Sequence, residues 1–380
     1  MKHCSYLVFE QRVMPEIPGI TRSVSFASFP FWGNLHIADI HAGNIISVLH
    51  MADLWFFLEP DAAAETEKIL RKWKKPEAIS VLPAPASGKE LLSWIRENKS
   101  ELFLLASSGS LVLTDPDDFG RFLQAPHADI VKLTAQMSPM TMYLVKKKKL
   151  IALILGLKDE DSGKSAISSL FKRLDSDFET LEDLPGKMLY NMTIMELFSA
   201  HMSLLDSFHS PDYPNLAGRF SRLSPEYGEA YVGETGEVFQ SFLAAGCEIH
   251  GTVKNSVLFP GVFIAQDTLV ESSVVMTDNR IGPGSTIENA FIFPYQKQGK
   301  RDAYNISQGT KIGCRLKTAK NMKYPDQLND GLSLIGMNTE LPPGSVIGAA
   351  CYIAPDLPSE TLAGYNTARK GTCAEPKKSE

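Results

Sequence analysis

The residues that could do chemistry are few and scattered. Asp39, Asp115 and Asp117 are carboxylates of the kind that hold a hard cation such as Mg²⁺, which takes oxygen ligands. His36, His41 and His50 lie close together, but their spacing matches no recognised zinc pattern, so structural or surface roles are expected. Ser162-Gly163-Lys164-Ser165 imitates the end of a phosphate-binding loop, yet Lys158 stands where that motif needs its first glycine, and the match is discounted. The run Lys146–Lys149 could meet a phosphate; a solvated helix start is the simpler expectation. For Gly33, Asp39 and Asn44 a turn, a cap or a hydrogen bond at a sheet edge is the default.

Composition bounds what surrounds these groups. The chain has 380 residues, 44% of them hydrophobic and 22% charged, with a formal net charge of −6. That is globular composition with enough apolar surface for a core, and the length suggests two domains or three. A sequence pI near 5.8 argues against a nucleic-acid binder, which usually carries a basic footprint. The apolar runs Leu144–Val145 and Leu150–Leu157 are too short to cross a bilayer, so no membrane span is expected. Met1-Lys2-His3-Cys4 opens no signal-peptide pattern. Cys4, Cys247, Cys314, Cys351 and Cys373 are an odd number with no CxxC pair, which fits reduced thiols and a cytoplasmic location.

The elements that must position the chemistry divide into two kinds. Ser5–Phe9, Asp53–Leu58, Ala78–Leu82, Leu102–Ala106 and Ile130–Leu133 read as buried strands. Helical patterns lie between them: one opens at Pro60-Asp61, with Ile69, Leu70 and Trp73 on a face, and one opens at Ser87, with Leu91, Leu92 and Ile95. This alternation predicts an α/β sheet with helices on both faces. Residues 207–228 are rich in Pro, Gly, Ser and Tyr and read as a linker. Beyond them the period becomes six. Cys247, Val253 and Phe259 step by six, as do Ile264, Val270 and Met276, then Ile281, Ile287 and Phe293, and later Ile335, Leu341, Ile347 and Ile353. Corresponding members of the first three sets are 17 apart. Neither helix nor plain strand has such a period; it predicts a triangular parallel β-helix, left-handed, whose stacked coils bury one another. The expected domains are an α/β domain at 1–206, the linker at 207–228, the β-helix at 229–365 with an inserted loop at 295–334, and a tail at 366–380.

An α/β domain followed by hexapeptide coils resembles the sugar-1-phosphate nucleotidyltransferases, and most closely the ADP-glucose pyrophosphorylase (glucose-1-phosphate adenylyltransferase) family of bacterial glycogen synthesis. Pro30–Asn44 (PFWGNLHIADIHAGN) resembles the family's PFGGKYRLIDFPLSN, agreeing at Pro30, Phe31, Gly33, Asp39 and Asn44. Leu104–Asp115 followed by Ala128-Asp129-Ile130 resembles the strand, metal loop and helix that end in GADI. Gly186–Leu205 resembles GYWEDIGTIEAYYEANMDLL, and Ala244–Phe291 is similar to the family's opening coils.

The departures fall on chemistry. Nucleotidyl transfer brings two anions together, so the family cradles a triphosphate on a glycine-rich loop and holds Mg²⁺ between the reacting phosphates. Here the loop position reads Glu10–Gly19, with one glycine and two prolines, and proline has no N–H to offer. The family's loop-proximal lysine falls on Phe26, its two metal carboxylates fall on Gly109 and Tyr190, and its GTAD contact has no counterpart near Pro83–Lys89. The resemblance therefore implies a degenerate, regulatory-type subunit: no catalytic residue, no Mg²⁺, vestigial pocket positions at Gly33, Asp39 and Asn44, and an oligomer formed with a catalytic homologous subunit or with itself. Two other readings stay open. One is an active nucleotidyltransferase with substitute ligands drawn from Asp39, Asp115 or Asp117. The other is an acyltransferase or scaffold built on the coils, for which His250 would be the base.

Overall fold

Runs of apolar residues buried on both faces need a parallel sheet covered by helices. The computed structural model contains that sheet, and it describes residues 3–10, 27, 29–31, 35–45, 52–71, 73, 78–135, 138–157, 163–184, 186–190, 193–207, 227–297, 303–314, 318–357, 362 and 367–375. The Gly33 and Phe26 positions, most of the loop after Glu10 and most of the linker lie outside the described residues. In chain order the elements are β1 (Cys4–Phe9), β2 (Pro30–Phe31), β3 (Leu35–His36), α1 (Ile37–Ile45), β4 (Ala52–Leu58), α2 (Pro60–Leu70), β5 (Ile79–Pro83), α3 (Gly88–Glu97), β6 (Leu102–Ser107), β7 (Leu111–Leu113), α4 (Pro116–Gln124), β8 (Ile130–Ala135), β9 (Ser138–Lys146), α5 (Lys147–Leu155), α6 (Gly163–Asp177), β10 (Thr180–Asp183), β11 (Lys187–Tyr190) and α7 (Ile194–Ser207).

The main sheet runs β10-β8-β9-β6-β1-β4-β5. β6, β1, β4 and β5 are parallel, while β9 is antiparallel to β6 and β8. All five strands read from the sequence are present; β9 and β10 are the two that were not legible. Side chains alternate across the sheet. Leu7, Phe9, Phe57, Phe103 and Leu105 meet Leu91 and Ile95 of α3, Leu150 and Ile154 of α5, and Leu170 and Leu174 of α6. Tyr6 and Phe56 point the other way, against His41 of α1. α3 is capped as its sequence requires: the Ser87 hydroxyl accepts from Glu90 N at 3.3 Å. The lysine run does start a helix, and Lys146 Nζ pairs with Asp129 Oδ1 at 2.8 Å.

Contacts divide the chain into two units, one containing His36–Asn191 with β1 and one containing Met192–Glu380. α7 therefore belongs with the coils, whereas the sequence pattern put it in the α/β domain. Its start is a reciprocal capping box: Glu196 N donates to Thr193 Oγ1 at 3.1 Å, and Thr193 N donates to Glu196 Oε2 at 2.8 Å. Its inner face brings His201 against the rings of Phe259 and Phe291, at centroid separations of 5.3 and 5.5 Å.

The second unit is a three-sided parallel β-helix. On one side Val238, Val253, Val270, Ile287, Ile312 and Ile347 stack inward. A second side stacks Leu258, Val275, Ile292, Ile335 and Ile353. On the third, Ile249, Ile264 and Ile281 stack, and single bridges carry the column to Ile306 and Leu341. One corner column, Asn255, Ser272 and Asn289, holds left-handed backbone at φ 46°, 48° and 48°. Polar side chains suit that region better than bulky ones.

Three sequence expectations need correction. Ile264 stacks on Ile249, not on Cys247, because this step is 15 residues and not 17. The corner His250-Gly251 is short, and it is tight: a Cβ on Gly251 would lie 2.5 Å from Thr268 O. The stretch 295–334 is not one inserted loop. Ile306 and Lys311–Ile312 take their places in the coil, and the excursion that follows folds back, with Ala319 against Ala349 and Ala350 and with Asn321 Nδ2 donating to Ala350 O at 2.8 Å. The tail expected from 366 begins as coil: Thr367–Ala368 and Cys373–Ala374 form a last rung on Val346–Ile347 and Tyr352–Ile353.

His201 gives a test of this packing. It is fully buried, and neither ring nitrogen has a hydrogen-bond partner among the described residues. Burial disfavours the imidazolium and pushes its pKa down to about 3. The unfolded chain, near 6.5, then binds the extra proton first, so stability is full above about pH 6.5 and is lost as pH falls toward 3. His201→Leu is expected to be neutral or stabilising by ~1 kcal/mol at pH 7 and to flatten that acid limb in urea titrations. An unchanged pH slope would count against this account.

Candidate functional site

The parallel order of β1, β4 and β6 brings their C-terminal ends to one edge, where open α/β sheets bind ligands. Backbone hydrogen bonds stitch those ends together. Ser108 N donates to Phe9 O at 2.9 Å, and Glu10 N donates to Phe57 O at 3.1 Å. The position expected to carry a metal carboxylate, Gly109, sits in the turn between β6 and β7, where Gly109 N donates to Ser107 Oγ at 3.2 Å and Ser110 N to Ser107 O at 2.9 Å. β7 pairs antiparallel with β11, setting Tyr190 opposite Leu111. Two positions far apart in sequence, Gly109 and Tyr190, are thus brought to neighbouring places, as the resemblance requires of two metal-holding residues.

The donors there do not fit Mg²⁺. Glycine brings no side chain, a phenol is a poor ligand near neutral pH, and this ion binds through hard oxygens, carboxylates above all. Ser110 Oγ is already spent on Thr141 O at 3.1 Å. Among the described residues no group of three or more His, Cys, Asp or Glu side chains converges on one point.

Polar groups beside this edge are engaged in holding the protein together. Asp39, in the first turn of α1, is fully buried. Its Oδ2 accepts from His36 N and its Oδ1 from Trp73 Nε1, each at 2.8 Å. Asn44 joins α1 to β7: Nδ2 donates to Val112 O at 2.7 Å, and Oδ1 accepts from Thr114 N at 3.2 Å. Asp115 caps α4, its Oδ1 accepting from Asp117 N at 2.8 Å. Spacing alone did not single out His41. It lies under the Gly109 turn, with Nε2 3.3 Å from Ser108 O and Nδ1 2.7 Å from Tyr6 Oη. A carbonyl only accepts, so the network assigns the proton to Nε2 and leaves Nδ1 to accept from the tyrosine. Burial holds this neutral form by pushing the pKa down to about 4. His250, by contrast, lies on an outward face of the coils, 2.8 Å from Glu248 Oε1.

This order of elements, an α/β sheet with a turn-and-clip site followed by hexapeptide coils, defines the class: a nucleotidyltransferase-like domain joined to a β-helix. Comparison with known proteins agrees. The family described as GlmU-like, C-terminal hexapeptide matches residues 228–325. A glucose-1-phosphate adenylyltransferase of Acetivibrio thermocellus is 30% identical over 174 residues, covering 46% of this chain and 39% of that protein. Its namesake in Fervidobacterium nodosum is 32% identical over 151 residues, covering 40% and 33%. One from Bacillus thuringiensis is 35% identical over 100 residues, covering 26% and 27%. The aligned part thus spans well under half the length of these relatives. In these aligned parts the chain is similar to glucose-1-phosphate adenylyltransferases. No helix among the described residues is long and apolar enough to cross a membrane.

Asp39 is the position to test. If its carboxylate holds α1 to Trp73, Asp39→Ala removes the acceptor of a buried indole N–H and of a partly buried backbone N–H and is expected to lower stability by about 2–4 kcal/mol. Urea unfolding followed by tryptophan fluorescence measures this, and a change below ~0.5 kcal/mol would contradict the structural role.

Proposed function

We propose that this chain is a non-catalytic or weakly active subunit of a glucose-1-phosphate adenylyltransferase assembly serving glycogen synthesis, and that it modulates a catalytic homologous partner without binding Mg²⁺ itself. The observation that carries this reading is the β7–β11 clip, which juxtaposes Gly109 and Tyr190 where two carboxylates would have to stand. The surrounding hydrogen bonds support it. Asp39 and Asp115, two of the three substitute ligands considered with Asp117, are spent on backbone and indole N–H groups. Redirecting either to a metal would leave buried or capping donors unpaired. Phosphoryl chemistry draws most of its rate from charge stabilisation by metal and donors. A chain without them still offers a folded surface for assembly, and modulation then requires contacts that differ between two states of the partner.

The test has two parts. The purified chain, given ATP, glucose-1-phosphate and Mg²⁺, is expected to turn over at least roughly a thousandfold more slowly than an intact homologue, the scale lost with such electrostatic groups. Co-expressed with that homologue, it is expected to co-elute on size exclusion and to change the partner's pyrophosphorylase kinetics. Turnover by the chain alone at a rate near the homologue's, abolished by Asp39→Ala, would establish the active-enzyme reading instead. Failure to form a complex, with no kinetic change, would end the regulatory one.

A further inference from the structure

At the edge of the main sheet opposite the Gly109 turn, where β1 and β4 begin, the first unit carries a pocket of about 600 Å³. Pockets of this size hold small molecules. Asp53 and Trp55 line it from β4, two residues apart and so on one face of the sheet. Trp94 and Glu97 line it from the last turn of α3, three residues apart and so on one side of that helix. The two indoles are half-buried and stand at 75° with centroids 5.1 Å apart, and Phe57 backs Trp94 at 5.2 Å. Together they make a firm aromatic corner. The uncharged polar groups beside it hold one another. Asn98 Oδ1 accepts from Ser100 N at 2.8 Å and from Ser5 Oγ at 3.3 Å, and Ser100 Oγ lies 2.9 Å from His3 Nδ1. Lys99 also lines the pocket and is exposed.

Three features set the sign of the charge this pocket takes. Asp53 and Glu97 bring two carboxylates against the one ammonium of Lys99. α3 ends here, so its last carbonyls turn the negative pole of the helix toward the pocket. That pole already attracts one ammonium, since Lys147 Nζ donates to Arg96 O at 3.2 Å and to Asn98 O. The faces of indole rings attract cations as well. An anion would meet repulsion from each of these. A neutral apolar ligand would strip water from half-buried Asp53 and return no hydrogen bond. A cation with N–H donors and an apolar stem satisfies both kinds of wall, and a guanidinium both stacks on aromatic rings and forks onto a carboxylate. We infer that this pocket binds a small organic cation, an alkylammonium or alkylguanidinium, whose charged head pairs with Asp53 while its alkyl chain lies along Trp55 and Trp94. Glu97 adds attraction from the other wall. Such a site lies away from the Gly109 turn and is independent of whether the chain turns over sugar phosphates.

The experiment titrates the full chain with agmatine and with spermidine, and with 1-butanol and glucose as neutral controls, by calorimetry and by tryptophan fluorescence. At least one cation is expected to bind with a Kd of about 1 mM or below, and the neutral controls at least about tenfold more weakly. Asp53→Asn keeps the shape of the side chain, removes its charge and is expected to raise the Kd about tenfold or more. Trp94→Leu is expected to raise it about fivefold. Polycations also gather diffusely around a chain of formal net charge −6. Glu234→Gln, exposed on the other unit, is therefore expected to leave the Kd unchanged. Unchanged circular dichroism and melting temperature establish that the variants fold. Should Asp53→Asn or Trp94→Leu fail to, Glu97→Gln, at an exposed position, is expected to raise the Kd about threefold. No binding of either cation up to about 10 mM, binding of glucose or 1-butanol as tight as that of the cations, or variants of Asp53 and Glu97 that bind as the native chain does would each overturn the assignment.

Discussion

Parallel strand pairing in fixed register is the constraint on which both units of this chain depend. A parallel pair cannot be closed by a short turn, so every return must cross over. In the first unit helices make the crossing, and the C-terminal ends of β1, β4 and β6 arrive at one edge. In the second, the returns are the other two sides of the coil, and inward aliphatic residues stack in columns. Neither arrangement asks anything of the strands except bulk and β-compatible shape. Chemistry is left to the turns between them.

Separating scaffold from turns explains how the fold can form whatever side chains the turns carry. The β6–β7 turn needs a tight backbone and finds it in Ser107–Ser110, whose serine and amide groups hold one another. The clip between β7 and β11 needs only backbone hydrogen bonds, so glycine and tyrosine serve at Gly109 and Tyr190 as well as carboxylates would. Nearby polar residues have taken on structural work. Asp39 is locked to Trp73, Asn44 to β7, and His41 sits neutral between a phenol and a carbonyl. Each is fully or almost fully buried, and a buried polar group is tolerated only when paired.

Much of the fold was legible because its signals are periodic. The alternating apolar runs gave five strands of the main sheet, and the six-residue step gave a β-helix. Where reading failed, the reason was local. β9 was missed because its start, Ser138-Pro139-Met140, carries no strand pattern, and only antiparallel pairing with β6 and β8 draws it in. Ile249 was passed over for Cys247 because a shortened corner at Gly251 shifts the count by two residues, and sequence spacing carries no marker for that. In the stretch after Tyr295, coil positions are separated by polar excursions, so Ile306 and Ile312 looked isolated until their columns were complete.

The candidate site divides in the same way. The sequence by itself determined which groups are available: no carboxylate at Gly109 or Tyr190, and two prolines in the segment after β1. Those are facts of composition at aligned places, and folding cannot supply an absent side chain. Only the tertiary structure decided what the remaining groups do. Whether Asp39 meets a metal or an indole, whether His41 is charged, and whether Asp53 and Glu97 line one pocket with two indoles all depend on contacts between residues far apart in the chain. Burial and hydrogen bonding set protonation and partnership, and both exist only once distant segments are packed together.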